Sequence, residues 1–266
     1  MQLSLISLFL AGSIPLLLAL MTHYRTSLCH ALVWALLAWL AWGISAAMAP
    51  TERALFESCR FTALCLTGCA GVAVLGARRP IAFAWNFVVL SLFAVMMWPL
   101  MEVLLIGGAP MSELRLAFLA STVVVAIVNY LPTRLGPAAV LLLLVCAGQL
   151  TLIYTPTTLL GSGDQLILNF ALAFVPWLGW ICLWTRRTNA THANRLWQQF
   201  RDAWGLMWGQ RAREQFNRAA ENAGWSIRLS WSGLIDGSET RTGSDQEKVV
   251  ETLQATLQRF FETNQR

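Results

Sequence analysis

One feature recurs along this chain and limits what it can fold into: stretches of roughly twenty apolar residues, broken by short segments of Arg, Pro, Gly and Thr. An α-helix rises about 1.5 Å per residue, so a run of that length crosses the roughly 30 Å hydrocarbon core of a bilayer. Lipid offers no partners to backbone amides and carbonyls, so these crossings must be helical. The runs fall at residues 3–21, 29–48, 61–77, 81–106, 116–131, 137–154 and 165–184. Pro50, Arg78-Arg79-Pro80, Gly107-Gly108-Ala109-Pro110, Pro132-Thr133-Arg134 and Arg186-Arg187 mark breaks between or after them. The expected fold is an all-α polytopic membrane helix bundle of about seven transmembrane helices, with a small helix–strand–helix cytoplasmic tail at the C-terminus. The third and fifth runs are the shortest, and the count falls to six if either lies on the membrane surface. The first run has no basic leader and no A-x-A site after it, so it is expected to be a span rather than a cleaved signal.

Charge is scarce, at 12% of residues against 56% hydrophobic, where soluble domains carry nearer a quarter charged. Its placement orients the chain. Residues 186–218 hold seven Arg against Asp202 and Glu214, just after the last apolar run. Lys and Arg collect on the cytoplasmic side of membrane proteins. The tail is therefore expected inside, together with Arg25, Arg78, Arg79 and Arg134, and the uncharged N-terminus outside. The expected location is a bacterial cytoplasmic (inner) membrane. The residue balance, eighteen Arg to the single Lys248, hints at a GC-rich bacterial source.

The tail divides into three parts. Residues 186–224 read as an amphipathic Arg/Trp juxtamembrane helix: Leu196, Phe200, Ala203, Trp204, Met207 and Trp208 recur at helical steps, and Gly224 is a stop. Residues 225–266 read as a short strand within 225–234, a turn at Asp236-Gly237, and a helix opened by the capping box Ser244-x-x-Glu247. That last helix carries Val250, Leu253, Leu257, Phe260 and Phe261 on one face. Arg186, Arg187, Arg195 and Arg201, interleaved with Trp197, Trp204 and Trp208, are membrane-surface candidates: Arg pairs with lipid phosphates while Trp sinks into the headgroup boundary. The competing reading packs this face on the strand and last helix.

Inside the apolar runs, Glu102 is the acidic residue that needs explaining, because an ionisable group at membrane depth is costly and often functional. It lies near the end of its run, where an interfacial role is the simpler reading. Pro99 sits one turn earlier and frees a carbonyl. Glu102, Trp98 and Asn86 are the candidates for a substrate or proton site. Asn86, Asn129, Gln149 and Asn169 are expected to hydrogen-bond between helices. Glu52, Arg53, Glu57 and Arg60 are read as a solvated loop. The six Cys, including Cys65 and Cys69 on one helix face, are read as small buried hydrophobes.

No P-loop, dinucleotide fingerprint, nucleophile elbow or HExxH motif occurs in the sequence. No metal or other cofactor and no nucleic-acid partner are expected. The leading expectation is a non-enzymatic scaffold, assembly or accessory subunit. It would sit in the lipid bilayer and meet a protein partner, or a second copy of itself, through the tail. The alternatives are a small permease using Glu102 and a lipid-acting enzyme using the outer-side carboxylates and Arg.

Overall fold

A computed structural model describes residues 2–48, 53–76, 82–107, 112–154, 162–185, 191–236, 243–258 and 260. Its elements are α1 (Gln2–Thr22), α2 (Cys29–Ala47), α3 (Arg53–Leu75), α4 (Ala82–Ile106), α5 (Glu113–Val128), α6 (Gly136–Tyr154), α7 (Ser162–Thr185), α8 (His192–Asn222), β1 (Ile227–Leu229), β2 (Leu234–Asp236) and α9 (Gly243–Gln258).

Among the described residues, six helices are long and apolar enough to cross a membrane, within α1, α2, α3, α4, α6 and α7. Their outward faces are apolar as well. Leu10 and Ile14 on α1, Phe87, Leu90 and Val95 on α4, and Phe174 and Ile181 on α7 are exposed. A water-soluble monomer rarely shows so large a continuous apolar surface, so this protein is a membrane protein with a helix bundle. The fifth run is different. α5 has 16 residues, about 24 Å of helix, and falls short on length. It packs on α3 and α6 through buried Leu119, Thr122, Val123, Ala126 and Ile127.

α3 is the central helix, packed on α2, α4, α5, α6 and α8. Small residues let its neighbours approach: a Cβ on Gly71 would overlap Ala126 of α5. Cys65 and Cys69 are buried here, with their thiols facing the carbonyls of Met96 and Val89 on α4 at 3.9 Å. One sequence boundary needs correction. α3 begins at Arg53 rather than near Phe61, and Arg60 is a buried residue of that helix, only 4% exposed, rather than part of a solvated loop. Apolar run length understates a helix that begins in polar sequence, as this one does at Arg53.

The tail also differs in detail. The alternating segment after Gly224 is a two-stranded antiparallel hairpin, Ile227 opposite Asp236 and Leu229 opposite Leu234, rather than one strand. Its turn is closed by the Ser230 amide donating to the Gly233 carbonyl at 2.8 Å. The expected turn residue Gly237, the Ser244–Glu247 side-chain cap and Phe261 lie outside the described residues. Val249, Leu253, Leu257 and Phe260 of the last segment are buried against α8.

Candidate functional site

The main site is the joint where the C-terminal elements meet one end of the bundle. It begins with a break in α8. Gly205 has φ +77° and ψ −165°, a conformation open essentially to glycine alone. The helix therefore stops at Trp204 and restarts at Leu206, exposing fresh amides at the new N-terminus. Asn129, just past α5, fills that gap. Its backbone carbonyl accepts from the Leu206 amide at 2.7 Å, and its side-chain oxygen accepts from the Met207 amide at 3.0 Å. Its side-chain amide donates to the Trp204 carbonyl at 3.4 Å. This is an N-cap supplied by another helix. A Cβ on Gly205 would overlap the Asn129 carboxamide, so the two residues are matched to each other.

Three indole N–H groups extend the joint. Trp208 donates to the Val74 carbonyl at the end of α3 at 3.0 Å. Trp204 donates to the Ser27 hydroxyl between α1 and α2 at 3.3 Å, and Trp231 donates to the Pro132 carbonyl between α5 and α6 at 2.7 Å. Charge completes it. Asp202 pairs with the Arg134 guanidinium and accepts from the Arg134 amide at 3.0 Å. Asp202 also pairs with Arg201 at 3.0 Å, and Arg201 in turn donates to the Trp231 carbonyl at 2.8 Å. Behind these contacts, Trp197, Phe200, Trp204, Trp208 and Phe260 form a buried aromatic core, with Phe200 stacked on Trp204 at 4.9 Å. His23 meets Trp204 edge-on at 6.2 Å, and burial lowers its pKa from the ordinary 6.5.

This geometry corrects the membrane-surface assignment for four residues. Trp197, Arg201, Trp204 and Trp208 are buried in protein, Trp197 to 0% exposure, and are not presented to headgroups. Arg195 is exposed; Arg186 and Arg187 lie outside the described residues. The reason is period. The Arg/Trp pattern shows that one face is apolar, and a domain core uses such a face as readily as a membrane does.

Beside the joint is a cavity of about 1600 Å³. Its wall is apolar and rich in small residues, from Leu16, Ala35, Trp39, Gly71, Ala139 and Gly179 among others. Its rim at the joint is polar, with His23, Arg134, Arg195, Gln199, Asp202 and Gln254.

The sequence candidates on α4 fall elsewhere. Glu102 sits at the opposite end of the bundle. It accepts from the Trp98 indole at 2.6 Å and pairs with Arg115 of α5 at 2.5 Å. Trp98 and Glu102 are thus brought together, but with a cation that neutralises the carboxylate, and the cavity wall does not include them. Asn86 is half-buried four turns away on the same helix, apart from both. Glu113, near the same end, meets the Tyr154 hydroxyl at 3.3 Å.

A further polar group inside the bundle was visible only in part from sequence. Arg60 of α3 donates to the Gln149 side-chain oxygen on α6, and Gln149 donates to Asn169 on α7 at 3.2 Å. The Arg60 guanidinium lies over the Phe56 ring at 5.1 Å, while its Nε is buried with no hydrogen-bond partner. The two amides stood out as polar residues in apolar runs; Arg60 did not, because it preceded one.

No family model, no curated protein and no solved structure matches this chain.

Proposed function

We propose that the protein is a non-enzymatic membrane subunit, a scaffold or accessory component, that holds a cytoplasmic domain in fixed register on one end of a seven-helix bundle. The observation that carries this reading is the Asn129–Gly205 joint. Together with the Trp204, Trp208, Trp231 and Arg134 contacts, it ties the C-terminal elements to the α1–α2 connection, the end of α3 and the α5–α6 connection. A partner bound to that domain would be positioned relative to the membrane, which a tail on a loose tether cannot do.

The same contacts support seven crossings. Ser27, Val74 and Asn129 all meet the tail, whereas Glu102, Arg115 and Tyr154 belong to the other end. α5 therefore runs from one end to the other between α4 and α6. Seven passes put the N-terminus opposite the tail. Arg134 and Arg195 at the tail end favour that side as cytoplasmic, in a bacterial inner membrane.

The tail surface offers Ile235, an exposed large apolar side chain on β2, as part of the partner contact. The test is native electrophoresis of mildly solubilised membranes. The expected result is a complex larger than the chain alone, reduced by Ile235→Glu. A chain that migrates alone at every detergent concentration contradicts the reading. The permease reading through Glu102 has no comparable support, because its carboxylate is committed to Arg115.

A further inference from the structure

The cavity beside the joint is open along part of its length, with exposed Leu18, Trp180 and Leu183 in its wall. A large apolar surface left uncovered by protein marks a place for a lipid or another ligand. At about 1600 Å³ it also exceeds the usual 300–1,000 Å³ of a site for a compact small molecule.

Its shape is that of an amphiphile. Along α2 the wall runs from Leu28 to Trp42, about 21 Å at 1.5 Å per residue, which is most of the way through a hydrocarbon core. The inner wall is mainly alkyl and indole surface, with the Thr67 hydroxyl engaged by the Trp42 indole at 3.1 Å; every charged residue of the lining is at the joint end. Among the described residues the charge there is net positive. Asp202 is a single carboxylate between Arg134 and Arg201, and Arg195 adds a further cation on the rim. Gln199 and Gln254 supply amide donors beside it.

We propose that this cavity is a binding site for one anionic membrane phospholipid, its acyl chains along α2 and its phosphate at the Arg195 rim. This site goes beyond the scaffold reading and does not depend on it. A subunit that runs alone in native gels leaves the lipid site intact, and a lipid-free cavity leaves the joint intact.

The test uses the full chain purified in mild detergent and examined by native mass spectrometry, with phosphatidylglycerol or phosphatidylcholine of the same chain length added back. Wild type is expected to retain one phosphatidylglycerol, with about fivefold preference over phosphatidylcholine; both carry a phosphate, but only the first is a net anion, and one Arg beside an anionic lipid contributes about this factor. Ala35→Trp, which fills the wall, is expected to bring retention to background while hydrogen-exchange protection of α8 stays unchanged. Arg195→Ala changes an exposed side chain and is expected to remove most of the preference without altering the fold, so it carries the test should the filled variant not fold. Wild type that retains no lipid overturns the proposal. So does retention unaffected by Ala35→Trp, or a preference unaffected by Arg195→Ala.

Discussion

At the scale of single residues, the joint depends on an amide and a glycine. Gly205 occupies a region of backbone space that costs other residues about 1–3 kcal/mol. Gly205→Ala adds the overlap with Asn129, so it is expected to destabilise the joint by at least that amount. Asn129→Ala removes the side-chain cap and leaves the Met207 amide hydrogen unpaired, while the backbone carbonyl at position 129 still accepts from Leu206; the loss is about 0.5–2 kcal/mol. Both are read by hydrogen exchange of residues 206–216, where protection should drop while α3 stays protected. Protection that is unchanged in both variants would sink the role given to this pair. His23 makes the same joint sensitive to pH. Its ring is packed on Trp204, its Nδ1 is buried without a partner, and the charges sharing its cavity rim are Arg134, Arg195 and Asp202. A histidine with a lowered folded-state pKa binds its proton more readily when unfolded. Its contribution is therefore complete above the ordinary value of 6.5 and is lost as the pH falls below it. The expected outcome is a lower unfolding midpoint at about pH 5 than at about pH 7.5, with the difference reduced in His23→Phe.

At the scale of elements, the apolar runs translated into helices with most ends shifted by a few residues and the start of α3 moved from 61 to 53, because run length and hydropathy report lipid contact directly. What they could not report was shielding by protein. Arg60 looked solvated because it lay among Glu52, Arg53 and Glu57, yet α3 carries it beneath α6. The Arg–Gln149–Asn169 group joins three helices, and its energetics follow from what each change leaves unpaired. Gln149→Leu strands a buried guanidinium and should cost about 1.5–3 kcal/mol, the range for a hydrogen bond to a charged group. Adding Arg60→Met removes the stranded charge and should recover most of the loss. Thermal unfolding in detergent gives the cycle; a strictly additive double variant would show that the two side chains do not interact. The tail helix teaches a related point. Its apolar face was legible from the spacing of Trp, Phe and Leu, but what covers that face was not, since spacing is the same for a lipid surface and for a protein core. The break at Gly205 was hidden for another reason: one glycine in a strong helical pattern reads as tolerated, and only Asn129, 76 positions earlier by their numbers, explains why it must be glycine.

At the scale of the molecule, the two ends of the bundle differ. One end carries the Glu102–Arg115 pair and the Tyr154–Glu113 contact, both at least partly open to solvent and of modest worth. The other is covered by a domain with its own aromatic core. That asymmetry makes the joint, rather than Glu102, the place where the fold invests its specific contacts. It also ties topology to function, because a domain clamped to one face of the bundle is useful only if that face and the chain's passes agree. Sidedness can be measured directly with a membrane-impermeant thiol reagent on intact and inverted vesicles, in a background lacking the six native cysteines. Ser4, Ser112 and Ala223 are exposed and serve as single cysteine positions. Seven crossings with the tail inside predict that Ser4→Cys and Ser112→Cys label from the outer side and Ala223→Cys only from the cytoplasmic side. Labelling of Ser4→Cys and Ala223→Cys from the same side would contradict it.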